Sequence, residues 1–246
     1  MIGQIWAWLT TASHWDGQDG IWARTWEHLQ YTLLAVGIAV LIAIPIGALI
    51  GHTGKGTGVV AGLANALRAL PSLGLLVIFA LWSLDHLPIG IALQSASIAV
   101  LVLLAIPPVL TSTYAGVAAV DPAARDAAAG MGMTGRQVLL RVELPIALPL
   151  VFSGIRSGFL QTVATATIAA VVSLGGLGRY VIDGLAQQDY PKMAAGALLV
   201  ALLAIIGDRV LALIGYLLVS AGLTGRRTLA RRPGTAPSEV VVPGTT

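Results

Sequence analysis

The sequence contains no cysteine. Disulfides, thiolate chemistry and cysteine-based zinc sites are therefore excluded. Charge is scarce: only 10% of the 246 residues are Asp, Glu, Lys or Arg, against about 25% in a soluble domain. No Lys or Arg precedes Arg24, so the basic opening of a secretory signal peptide is missing. Phosphate-binding signatures are missing as well. Gly54-Lys55 hints at a P-loop, but Leu49 stands where its first glycine belongs and Gly56 where Ser or Thr would hold a magnesium ion. Gly130-Met131-Gly132-Met133-Thr134-Gly135 matches the spacing of a dinucleotide loop. It follows an alanine-rich helix former rather than a strand, so the βαβ context is lacking. His14, His28, His52 and His86 show no metal-ligand spacing. The chain is therefore expected to bind no cofactor, metal or nucleic acid and to carry no catalytic constellation.

What is abundant is apolar surface. Hydrophobic residues make up 57% of the chain, and the mean hydropathy is +0.87. A bilayer crossing takes about 20 apolar residues in a helix. Five segments meet that length: 29–50, 59–82, 89–114, 147–174 and 193–221. Helices are expected because each satisfies its own backbone hydrogen bonds in lipid. The fold class is all-α and integral to a membrane.

Orientation follows from the basic residues. With the N-terminus outside, the inner segments hold Lys55, Arg125, Arg136, Arg141, Arg226, Arg227, Arg231 and Arg232, and the outer ones only Arg24, Arg179 and Lys192. The excess favours N-out and C-in. All 6 tryptophans then fall on the outer side, where the ring is half in lipid and its N–H finds a partner. Residues 1–27 precede the first span. Ile2, Ile5, Trp6 and Leu9 recur at helical spacing there, which predicts a short helix on the outer leaflet. Residues 28–222 form the transmembrane domain. The tail, 223–246, carries arginines and then Pro233, Gly234, Pro237 and Pro243. That composition is expected to stay disordered on the inner side, against the anionic bilayer surface.

One polar segment, 121–145, interrupts the apolar pattern. Asp121-Pro122 is a helix start, because Asp caps free N–H groups and Pro is tolerated in the first turn. Ala123 to Ala129 favour helix. Gly130, Gly132 and Gly135 permit a tight turn. Thr134 followed by Gln137 is a capping box that opens a second helix, expected to run to Pro145. The segment reads as helix, glycine turn, helix on the inner side. Small residues at its tip suit docking into a groove, with Arg125, Arg136 and Arg141 free to pair with a partner's carboxylates.

Four charges fall inside the expected spans: Arg68, Arg156, Asp208 and Arg209. Facing lipid would cost each several kcal/mol, so they are expected to face protein or water. At about 1.5 Å per residue, Arg68, Arg156 and Asp208 reach similar depths, which makes Asp208 a candidate partner of Arg156 or Arg68. A structural pair and a role along a solute path both fit. Pro71-Ser72 interrupts the second span and is expected to bend it; broken helices also line transport paths. Gly175, Gly176 and Gly178 mark a turn or a gate at the outer end of the fourth span. No aromatic box for a quaternary ammonium ion is evident inside the spans.

The polar segment also resembles a family signature. Asp126-Ala127-Ala128, then Gly132, then nine residues to Val142-Glu143-Leu144-Pro145 is similar to the EAA loop of permease subunits in bacterial ABC importers, E-A-A-x-x-x-G followed by I-x-L-P. Asp126 replaces the Glu and Val142 the Ile. Arg68-Ala69-Leu70-Pro71-Ser72-Leu73, Gly154-Ile155-Arg156-Ser157-Gly158, Gly175-Gly176-Leu177-Gly178 and Ile182-Asp183-Gly184-Leu185 resemble the betaine, choline and carnitine osmoprotectant permeases of the ProW and OpuC type. The resemblance runs from about Trp26 to Gly222. It implies a five-span, type I (MetI-like) importer permease in a bacterial inner membrane. It also implies that Asp126, Ala127, Ala128, Gly132, Val142, Leu144 and Pro145 form the loop that couples to a cytoplasmic ATP-binding subunit. A second permease chain, identical or paralogous, and an external solute-binding protein complete the implied assembly. An importer of an amino acid, methionine or an alkylsulfonate would show the same loop; an ATPase-independent channel or carrier, or a passive scaffold, would not need it.

Overall fold

The computed structural model describes residues 2–172 and 174–219. The tail expected at 223–246 lies outside the described residues, and so does the side chain of Arg68. The described residues are helical, with no strand among them. The helices are α1 (Ile2–Thr10), α2 (Ile21–Thr53), α3 (Thr57–Ala69), α4 (Ser72–His86), α5 (Ile89–Ala118), α6 (Pro122–Gly130), α7 (Gly135–Val138), α8 (Leu144–Ala169), α9 (Gly178–Ala186) and α10 (Tyr190–Leu218). A π-helical turn, Leu139–Glu143, joins α7 to α8.

Among the described residues, four helical runs are long and apolar enough to cross a membrane: Ile21–Thr53, Ile89–Ala118, Gly135–Val172 and Tyr190–Leu218. The second expected span, 59–82, is not one helix. Its halves, Thr57–Leu67 and Ser72–His86, meet at 89°. The cause is local. The ring of Pro71 disfavours helical backbone at the residue before it, and Leu70 sits at φ −71, ψ 133. The bent pair nonetheless bridges the bundle. α2 ends where His52 meets Glu143, while α5 begins at the opposite end, where Gln94 bonds Tyr31 in the first half of α2. The chain between those ends must traverse the layer, so the broken pair supplies the fifth crossing.

α5 lies between α2 and α8 and forms the centre of the bundle. Its neighbours approach closely because they present small residues, the usual device where lipid removes the hydrophobic drive for helix association. A Cβ added to Gly47 of α2 would come within 2.9 Å of the Leu110 carbonyl oxygen, and one on Gly154 of α8 within 2.6 Å of Ser112 Cβ. Buried Ala35, Leu76, Val100, Leu101, Leu104, Ala166 and Ala169 fill the half of the core near the α4–α5 turn. Ala48, Val117, Leu139, Ala147 and Val151 fill the half near the polar segment.

The first residues form a helix that packs against α10. Ile21, Leu177 and Tyr180 are buried together under Trp8 and Trp15, and the rings of Trp8 and Tyr180 meet edge to face at 5.4 Å. The Tyr180 hydroxyl donates to the Asp19 carbonyl oxygen at 2.6 Å. Burial pushes the Tyr180 phenol up to about 12, against the pull of nearby Arg24 and with help from Asp19 and Glu27.

Candidate functional site

The polar segment folds into an elbow. The Asp121 carboxylate accepts the Ala123 N–H at 2.9 Å, with Pro122 in the first turn of α6. Gly132 then takes φ +82, a left-handed conformation that glycine adopts without a Cβ clash. Thr134 opens α7 with both halves of a capping box: its hydroxyl accepts the Gln137 N–H, and the Gln137 carbonyl accepts the Thr134 N–H.

The second helix does not stop at Pro145. It continues through the π turn into α8, giving one run from Gly135 to Val172. Proline lacks an N–H, and its ring crowds the carbonyl four residues back. A π turn directly precedes Pro145, with Leu144 N–H bonded to Leu139 O. The wider turn accommodates the proline without ending the helix.

One face of the elbow packs inward and the other is open. Ala128, Val138 and Leu139 are buried. Asp126, Ala127, Ala129, Gly130 and Gly132 are exposed, and Met131 at the tip is 72% exposed. Leu144 packs against the inner core cluster, while Val142 and Pro145 are half-buried. Arg136 and Arg141 are exposed. Arg125 corrects the expectation of a free cation. Its Nε lies 2.8 Å from Glu143 Oε1, and its Nη2 donates to the Val117 carbonyl at 2.6 Å. It faces the bundle because Glu143, 1% exposed, needs a counter-charge there.

Glu143 was not among the site residues that the sequence singled out. It occupies the variable position of the Val142–Pro145 motif. Its Oε2 also contacts His52 Nδ1 of α2 at 2.7 Å. The available signal was a lone carboxylate between an apolar helix and Leu-Pro; its partners lie too far along the chain to be read from spacing.

The intramembrane charges separate. Arg156 of α8 grips Asp208 of α10 through two hydrogen bonds, Nε to Oδ1 and Nη2 to Oδ2, each 2.8 Å. Arg209 is exposed. Arg68 is placed in α3.

Within the bent pair, Pro71 precedes α4, with Ser72 as its first residue. The glycine loop is clasped rather than open. Gly176 sits at φ +81 and donates its N–H to Glu27 Oε2 at 2.8 Å. Glu27 also holds Arg24 at 2.8 Å, and Arg24 reaches Asp19. Gly178 opens α9 where a Cβ would strike Thr167 and Ala170.

The described residues thus form a multi-span helical bundle with a capped elbow, one face of it exposed, between two spans. The chain belongs to the family described as binding-protein-dependent transport system inner membrane component, which it matches over residues 43–216. Among curated relatives, it is 33% identical over 207 residues to the Bacillus subtilis glycine betaine/carnitine/choline transport system permease protein OpuCB, covering 84% of this chain and 92% of that one. It is 35% identical over 210 residues to the Salmonella typhimurium osmoprotectant import permease protein OsmW, covering 85% and 96%. Its fold is that of a chain in inward-facing structures of the MetNI methionine ABC transporter, with a TM-score of 0.70 at 23% identity, covering 81% of this chain and 96% of that one.

Proposed function

We propose that this chain is the permease subunit of an ATP-driven importer of compatible solutes: glycine betaine, choline, carnitine or proline betaine. The names of its relatives carry the solute class. OpuCB and OsmW stand above 30% identity over most of both chains. The likeness to methionine and amino-acid transporters is one of fold, and a shared fold does not choose a solute.

The elbow supports ATP coupling. Its tip offers the exposed apolar Met131 among small residues, and Asp126 and Arg136 are exposed on the same elbow. Such a surface suits a groove on a cytoplasmic ATP-binding subunit, where hydrolysis takes place. An orientation of N-out and C-in agrees with the arrangement of the ends. His52, Arg125 and Arg136 gather at the elbow end, while Trp8, Trp15 and Trp22 gather around Tyr180 and α2's start at the other. One five-span chain encloses little, so a second permease chain completes the path and an external solute-binding protein delivers the cargo.

Uptake tests this reading. The chain, with its ATP-binding and solute-binding partners, is expressed in a strain lacking its own osmoprotectant importers. At high osmolarity, radiolabelled glycine betaine or choline should accumulate, and depletion of ATP should stop it. Accumulation of methionine or an alkylsulfonate instead would reject the solute class; uptake without the ATP-binding partner would reject the coupling.

A further inference from the structure

Glu143 is the one acidic side chain in the buried set of the described residues. Its two oxygens serve two different helices. Oε1 lies 2.8 Å from Arg125 of α6, and Oε2 lies 2.7 Å from His52 in the last turn of α2. Arg125 also donates to the carbonyl of Val117 in the last turn of α5. The end of α2 and α6 thus meet at one carboxylate, Arg125 links α6 back to the end of α5, and the π turn joins the carboxylate directly to α8.

Burial makes this junction stiff. A carboxylate taken out of water requires its partners in place, because losing one leaves an uncompensated charge. Within a low-dielectric interior, paired polar groups polarise one another and resist rearrangement. The open side of α6 is made of exposed small residues, whereas its inner side is tied by Arg125. The elbow therefore has one surface for a partner and one fixed attachment to the bundle.

We propose that Glu143 is the positioning residue through which displacement of the elbow reaches the spans. The Glu143–His52–Arg125 clasp makes α6, the end of α2 and the end of α5 move as one body, so that a push on the elbow becomes a tilt of two spans rather than a local flexing of the loop. This rests on the reading of the elbow as the seat of the ATP-binding subunit.

The test uses the whole transporter, this chain with its ATP-binding and solute-binding partners, in proteoliposomes. Solute imported and ATP hydrolysed are measured in the same vesicles. Glu143→Gln keeps the shape and removes the charge; Glu143→Asp keeps the charge and shortens the reach. The expected result for Glu143→Gln is at least a ~tenfold fall in solute imported per ATP while hydrolysis stays within about twofold. Glu143→Asp should recover part of the loss. Because the chain has no native cysteine, spin labels at Thr53→Cys and at Ala123→Cys, in the first turn of α6 and away from the tip, report the elbow's attachment. Their separation should stay narrow with and without ATP, and broaden in Glu143→Gln.

Unchanged import per ATP with a narrow separation in Glu143→Gln overturns the clasp. A parallel fall of import and hydrolysis with a narrow separation overturns it too. If Glu143→Gln does not assemble, His52→Ala, which leaves the Arg125–Glu143 pair, takes its place: the same loss of import per ATP with a broadened separation supports the clasp, and a narrow separation overturns it. If a chain with Met131→Asp still recruits and uses the ATP-binding subunit, it is the docking reading that fails, whatever Glu143 shows.

Discussion

Arg156 and Asp208 form a two-bond pair across the contact between α8 and α10, with both bonds at 2.8 Å. The geometry is the planar fork of a guanidinium meeting a carboxylate, which holds orientation as well as charge. α10 also packs on α8 through Val200, Ala204 and Leu211 around Phe159. The pair adds an oriented contact to that apolar seam.

Asp208→Asn should destabilise the detergent-purified chain. The side chains are 38% and 16% exposed, so the expected loss is about 2 kcal/mol, between the values for surface and buried pairs. Thermal unfolding followed by helical circular dichroism reads it. The double reversal Arg156→Asp with Asp208→Arg should recover at least half of the loss. Additive losses in the double variant would show that the two charges do not act as a pair.

Met131 and Asp126 should matter to assembly rather than to folding. Both are exposed, so Met131→Asp and Asp126→Lys leave the core intact. On the docking reading, each weakens capture of the ATP-binding subunit by about tenfold or more, equivalent to roughly 1.4 kcal/mol. Co-purification and a binding titration with that subunit check this, with the melting temperature as the control for folding. Equal affinity in all three proteins would remove the elbow tip from the interface.

Tyr180 predicts a pH effect at the other end. Burial raises its phenol to about 12, above an unfolded value of about 10. For a group raised on folding, the stabilising contribution is whole below the unfolded value and is lost as pH rises through the folded one. The packing of α1 against α9 should therefore hold to about pH 10 and weaken between there and about pH 12. The difference in phenolate absorbance between the native chain and Tyr180→Phe measures it. A Tyr180 transition near pH 10 would contradict the burial argument.

The elbow shows how local and distant information divide. Asp121 reaches only to Ala123, and Thr134 only to Gln137. Interactions two or three residues apart are written in the order of the chain, so the helix starts were legible. The clasp was not. Glu143 and His52 are 91 positions apart, and nothing in the spacing of either reports the other. Arg125 looked free for the same reason: its helix was legible, but not the direction in which the bundle would demand its charge.

The second span was legible as a bent crossing, but not in its angle. Hydropathy sums apolar residues along a segment and has no direction, so 59–82 read as one crossing. Pro71 signalled a bend, but the 89° angle arises because extended backbone at Leu70 starts α4 on a new axis, from which it packs Leu76 against α5 and α8.

The sequence by itself determined that the chain is a cysteine-free bundle of membrane helices with a capped polar elbow between two of them, because composition, helix caps and apolar runs act over short distances. Only the tertiary structure decided which arginine holds Asp208, which carboxylate holds Arg125 and His52, and how the broken span crosses. Those outcomes depend on which helix faces meet once lipid has excluded water, and a buried charge then takes the partner that packing brings within reach.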